Sequence, residues 1–221
     1  MDVATGEVAA ALGRLRTADA AGQQDALTEL CDWLVHQGMI DEESVTAVPA
    51  LLDAAADPDV GDRYRIELLA LLAMIVHPET FVTADGRIHK VLWRRRPQAV
   101  RPDRELPLVA RAAMVQAAGR VLATLRAPGL EAAALFLLAC VVPDVPAEGP
   151  AVLTELAGNP DQRLSLAARA ITALCAPATT LDEVDRAIDR VAALDEESRD
   201  WPIDRPPGPR LIEVLLQVLE T

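Results

Sequence analysis

Lysine is nearly missing from this chain, and aromatic rings are scarce. One lysine, Lys90, stands against twenty arginines, and six residues are aromatic: Trp33, Trp93, Trp201, Tyr64, Phe81 and Phe136. A core with so few rings must be filled by Ala, Leu and Val. Ala and Leu stand at the top of the helix scale, and Ala lets helix axes approach closely, so this composition points to packed helices. The arginine excess, together with the abundance of Ala, matches the codon bias of a GC-rich genome, so arginine content alone indicates no function. Cysteine is equally sparse. Cys31, Cys140 and Cys175 lie singly in apolar helical stretches with no paired spacing, which reads as reduced core thiols and excludes a disulfide framework.

The residues that carry most chemistry are also few or scattered. His36, His77 and His89 show no His-x-x-x-His or His-x-Glu spacing and have no Cys-x-x-Cys partner, so no metal site is expected. His36 and His77 fall at helix C-terminal ends, where an imidazole pairs with the helix dipole. Neither Gly-x-Ser-x-Gly nor a glycine-rich phosphate loop occurs. The adjacent acids Glu42-Glu43 and Glu196-Glu197 point in different directions on a helix or lie in turns, and read as solubilising surface. No catalytic residue and no cofactor is therefore expected. The opening stretch, MDVATGEVAAALGRLRTADA, is acidic early and amphipathic rather than leader-like. The longest apolar run, 132–142, is about half of the ~20 residues a bilayer demands. These features predict a cytoplasmic protein without a membrane span.

What is present is helical periodicity. With 221 residues, 51% of them hydrophobic, the chain can bury a sizeable core. Leu106, Val109, Ala113, Ala117, Val121 and Leu125 form one stripe; Leu181, Val184, Ile188, Val191 and Leu194 form another, opened by a Thr180/Glu183 capping box. Residues 66–76 and 132–142 are apolar nearly all round, which places those helices inside. The pattern predicts an all-α protein of about ten helices: 5–19, 24–37, 43–56, 60–77, 105–126, 130–142, 147–157, 161–176, 181–194 and 208–220.

Their turns repeat. PALLDAAADPDVGDRYRIELLALLAMI from Pro49 and PAVLTELAGNPDQRLSLAARAITAL from Pro150 share a proline, a leucine six residues before an Asp or Asn, a Pro-Asp pair and a second helix. The short acid or amide is expected to cap that helix, with the proline in its first turn and the following Asp near its positive end. VLATLRAPGLEAAALFLLACV is a degenerate third copy without the capping acid. This layout resembles HEAT repeats. The turn residues Asp57, Pro58 and Asp59, and Asn159, Pro160, Asp161 and Arg163, match the family turn; Arg63 comes two residues late, after Val60-Gly61. The resemblance covers 24–77 and 105–176 and implies a single right-handed α-solenoid over 1–221, built from hairpins that cover one another's apolar faces.

Two segments interrupt that array: a basic insertion at 78–104 and a proline-rich connector at 201–210. Residues 85–104 hold seven basic residues against two acids, a local charge of +5 that leaves -18 on the rest of a chain whose net charge is -13. Trp93, Arg94, Arg95 and Arg96 make this segment a candidate partner contact, although charge runs ordinarily remain solvated faces. Nucleic acid is disfavoured, because an acidic body repels the phosphates on which such binding rests. A solenoid would present the second helices, 60–77, 130–142, 161–176 and 208–220, on an inner wall. Arg63, Tyr64, Arg65, Glu67, Gln162 and Arg169 are the candidate contacts there, whereas Arg163 is expected in a structural ladder. The expected function is a non-catalytic protein-interaction module or scaffold, suited to neutralise a basic partner. The alternative is a HEAT-like DNA glycosylase or nucleic-acid-binding protein using 85–104.

Overall fold

The computed structural model describes residues 3–35, 40–76, 105–126, 129–195 and 207–219. Among them are ten helices and no strand: α1 (Val3–Thr17), α2 (Ala20–Leu34), α3 (Glu42–Ala55), α4 (Asp62–Val76), α5 (Glu105–Leu125), α6 (Glu131–Val141), α7 (Gly149–Leu156), α8 (Gln162–Cys175), α9 (Leu181–Ala192) and α10 (Pro207–Leu219). The all-α expectation holds, and the helices fall where the periodicity places them. The insertion at 78–104 and residues 201–206 lie outside the described residues.

Helix starts follow from local chemistry. Glu183 N–H donates to Thr180 Oγ1 at 3.3 Å and Thr180 N–H to Glu183 Oε2 at 2.8 Å, closing the anticipated capping box of α9. A second box, which the sequence pattern did not suggest, opens α3: Ser44 N–H donates to Asp41 Oδ1 at 3.0 Å, and Asp41 N–H to Ser44 Oγ at 3.1 Å. Serine does the reciprocal work that the motif assigns to Glu or Gln. Helix α2 begins four residues earlier than expected because Asp19 takes the Gly22 amide at 2.9 Å and caps there. Helix α10 begins at Pro207, so the proline-rich connector ends sooner than 210. Prolines suit a first turn, whose amides have no intrahelical acceptor to lose.

The chain divides into two compact units, Met1–Met114 and Val115–Thr221, with the division inside α5. In the first, α1 and α2 form one helical hairpin and α3 and α4 another; α1 lies against α3 and α2 against α4. Two hairpins are thus layered side by side around Leu15, Leu30, Leu34, Leu51, Leu52 and Leu68, all fully buried. Each such leucine contributes roughly 1.5–3 kcal/mol.

In the second unit α8 contacts α7, α9, α6 and α10, while α10 reaches α9, α8 and α6. This arrangement surrounds α10: every residue from Arg210 to Leu216 is buried, Arg210 and Glu213 included. Residues 133–141 of α6 are buried on all sides as well. The turn into α6 needs Gly129, whose φ of 91° disfavours any side chain. Helix α7 opens on Gly149, where a Cβ would come within 3.2 Å of both Leu138 and Val145.

Helix α5 has the length and mean hydropathy of a membrane span, 1.3 over Leu108–Leu125, yet that window contains Arg111 and Arg120. Its buried ridge is Ala110, Met114, Ala118, Val121, Leu122 and Leu125, rotated from the expected stripe in its first half, so that Val109 is 54% exposed. Leu181, expected to open the buried stripe of α9, is 71% exposed, because at the first helical position it overhangs the core that Val184, Ile188 and Val191 enter.

Candidate functional site

The turn between α3 and α4 shows how the candidate contacts are placed. Asp57 Oδ1 accepts the Asp59 amide at 3.0 Å, folding the chain back over Pro58. Val60-Gly61 then delays α4 until Asp62, and the delay moves two of the candidate residues inward. Arg65 is 4% exposed; its Nε donates to the Val60 carbonyl and its Nη2 to the Asp57 carbonyl, both at 2.8 Å. Tyr64 is 8% exposed, and its hydroxyl donates to the Ala20 carbonyl at 3.1 Å. Neither offers a partner the surface expected of it. Their polar ends satisfy backbone carbonyls that hold the turn and tie α4 to the start of α2.

Arg63 and Glu67 do come together on the surface. Arg63 Nε donates to Glu67 Oε1 at 2.7 Å, and its Nη2 to Gln24 Oε1 at 3.2 Å across the α2–α4 contact. The Arg63 side chain stays 72% exposed and its guanidinium sits 5.8 Å from the Tyr64 ring centroid. An exposed arginine held at two of its nitrogens has already lost much of the rotamer freedom that a partner would otherwise have to freeze. Gln24 was invisible in the sequence, since 39 residues separate it from Arg63 and only the layering of hairpins joins them.

An ion pair crosses between the layered hairpins. Arg16, at the end of α1, donates from Nε to Asp57 Oδ2 at 2.5 Å. This hydrogen bond, and next the Asp59 amide, hold the Asp57 carboxyl below the ordinary carboxylate range. Because the folded state lowers this pKa, the pair's contribution is complete above the unfolded value of about 3.9 and disappears as pH falls through the lower folded value. Asp57→Asn keeps the acceptor for Asp59 but loses the ion pair. It should melt below wild type at neutral pH, with the difference closing as pH falls below about 4; a gap that stays constant to pH 2 would contradict this role.

The second repeat turn is built differently from expectation. Asn159 Oδ1 accepts the Asp161 amide at 2.8 Å, matching Asp57 in the first turn, but the cap of α8 is Asp161, whose Oδ1 takes the Arg163 amide at 2.8 Å. Pro160 therefore precedes the cap instead of entering the first turn. Arg163 pairs with Asp161 of its own turn at 3.1 Å and, among the described residues, makes no ladder to a neighbouring turn. That pair, with the Arg163 amide, keeps the Asp161 carboxyl below its usual range. Gln162 and Arg169 are exposed; Arg169 Nη2 donates to the Ala157 carbonyl at 3.1 Å.

Two of the four helices expected on an inner wall, α6 and α10, are sealed by their own apolar residues, and α4 is buried from Leu68 onward. The accessible polar positions on α4 sit in its early turns, whereas those on α8 run from Gln162 through Arg169 to Thr172. Trp93, Arg94, Arg95 and Arg96 lie outside the described residues, as do His36, His77 and His89. Burial raises the Cys31 thiol to about 12, helped by Glu67 and Asp32, and burial alone raises Cys140 and Cys175, so all three are poor nucleophiles at neutral pH. No cluster of His, Cys, Asp and Glu fit to hold a metal occurs among the described residues. Comparison with protein-family models, with curated proteins and with solved structures returns no match.

Proposed function

We propose that this chain is a non-catalytic protein-interaction module, a cytoplasmic scaffold of HEAT-like, right-handed α-solenoid type whose acidic body suits a basic protein partner. The observation that carries the reading is the first unit: two hairpins layered α1 on α3 and α2 on α4, bridged by Arg16 and Asp57, with Gln24, Arg63 and Glu67 linked on the exposed side of α2 and α4. Layered hairpins position side chains from successive repeats on one rigid surface, which is how solenoids bind. A net charge of -13 raises the encounter rate with a basic protein.

The test is affinity capture from native lysate with the full chain and with Arg63→Ala. Wild type should retain a stoichiometric basic protein, released by salt. Arg63→Ala should weaken its binding about tenfold or more, as loss of an interface arginine does, without moving the melting transition. Retention unaffected by the substitution removes Arg63 from the interface. Salt-sensitive duplex binding with release of a modified base replaces this reading with the glycosylase one.

A further inference from the structure

Arginines in so acidic a chain generally find acids. Arg14 holds Glu29, Arg16 holds Asp57, Arg63 holds Glu67, Arg126 holds Glu155, Arg163 holds Asp161, and Arg210 holds both Asp185 and Asp189. Arg186 and Arg190, like Arg169 on its Ala157 carbonyl, are exceptions. Neither makes a salt bridge among the described residues, and both line an open cleft of about 420 Å³ together with Ala178, Thr179 and Glu183. Arg186 Nε is anchored to the Asp182 carbonyl at 2.9 Å, which orders the side chain and occupies only one of its donors.

Residues 183, 186 and 190 recur at spacings of three and four, so all three lie along one face of α9, with neighbouring Cβ atoms about 5–6 Å apart. Of the acids on α9, only Glu183 lines the cleft. Its carboxylate already accepts the Thr180 amide at 2.8 Å and the Thr180 hydroxyl at 2.9 Å, and those bonds, with a smaller contribution from the charge of Arg186, hold it below the ordinary carboxylate range. Asp185 and Asp189 are committed to Arg210. Among the residues that line the cleft, two guanidiniums thus face one engaged carboxylate, while Asp182, one turn before Arg186, lies outside the lining.

We infer that the cleft formed by the α8–α9 loop and the Arg186–Arg190 face of α9 binds a small dianion, either a phosphate monoester or a short dicarboxylate. Its volume lies in the range of small-ligand sites. The planar forks of two arginines one turn apart suit paired anionic oxygens, each fork able to engage two of them. Thr179, in the loop, also lines the cleft. This site is independent of the α2–α4 surface and would survive the failure of that reading.

The experiment is an NMR titration of the full chain, in low-chloride buffer, with inorganic phosphate and separately with succinate. The expected result is saturable movement of the Arg186 and Arg190 side-chain Nε–H signals and of the Ala178 and Thr179 amides, with one shared millimolar-range midpoint. Arg186→Gln/Arg190→Gln should weaken it at least about tenfold while the remaining backbone spectrum is preserved. Saturation by phosphate alone, or by succinate alone, identifies which dianion the cleft takes. Unsaturable drift shared by all arginines, or an unchanged midpoint in the double variant, overturns the site.

Discussion

Arg65→Ala lowers the stability of the chain by about 2–3 kcal/mol, because the buried Val60 carbonyl loses the donor that satisfies it and the Asp57 carbonyl is left with the Val60 amide alone. Val60 is 1% exposed, so water has poor access to its carbonyl, and the Asp57 carbonyl loses its Arg65 contact at the same stroke. Arg65→Lys should recover only part of the loss, since an ammonium lacks the fork that reaches both acceptors. Urea unfolding of the three proteins reads the difference as a shift of midpoint at constant slope. A change below about 0.5 kcal/mol, the scale of an ordinary surface substitution, would return Arg65 to the exposed surface. The same experiment separates fold from function: Arg63→Ala should alter binding with little change in stability, and Arg65→Ala the reverse.

Arg210→Ala costs about 2–3 kcal/mol by a different route. The side chain is 6% exposed, with Nη1 on Asp185 at 3.1 Å and Nη2 on Asp189, and it clamps the first turns of α10 to α9. Breaking a buried pair from one side ordinarily costs about 3–5 kcal/mol; here the acids are 36% and 55% exposed and regain part of their hydration. Arg210→Met should cost much less than Ala. It refills the volume with an apolar chain and removes a buried Nε that has no acceptor among the described residues. Thermal melts of both variants decide the matter, and an alanine variant as stable as wild type would show that α10 is held by apolar packing alone.

Both predictions concern residues whose place was illegible in the chain. Arg63, Tyr64 and Arg65 are consecutive and looked alike as early positions on one helix. Successive helical residues point about 100° apart, so one reached the surface and two turned inward. Which of them did so depended on where α4 began, and the Val60-Gly61 insertion set that start. Arg210 stood at the end of a proline-rich stretch, with Asp204 and Glu213 the nearest acids in sequence; its partners instead lie 25 and 21 residues earlier, on α9. Gln24 and Arg16 likewise meet Arg63 and Asp57 only across the layered hairpins.

The amino-acid sequence by itself determined the helices, their approximate limits, the Thr180 capping box and the interior place of α6, because periodicity, caps and apolar runs act between residues a few positions apart. Only the tertiary structure decided which polar side chains serve the fold and which remain for a partner. It sealed α10 among α6, α8 and α9, buried Arg65 and Tyr64, paired Arg16 with Asp57 and left Arg186 and Arg190 without a salt bridge among the described residues. A side chain's exposure and its ion-pair partner depend on elements distant in the chain, and no local pattern encodes how those elements pack.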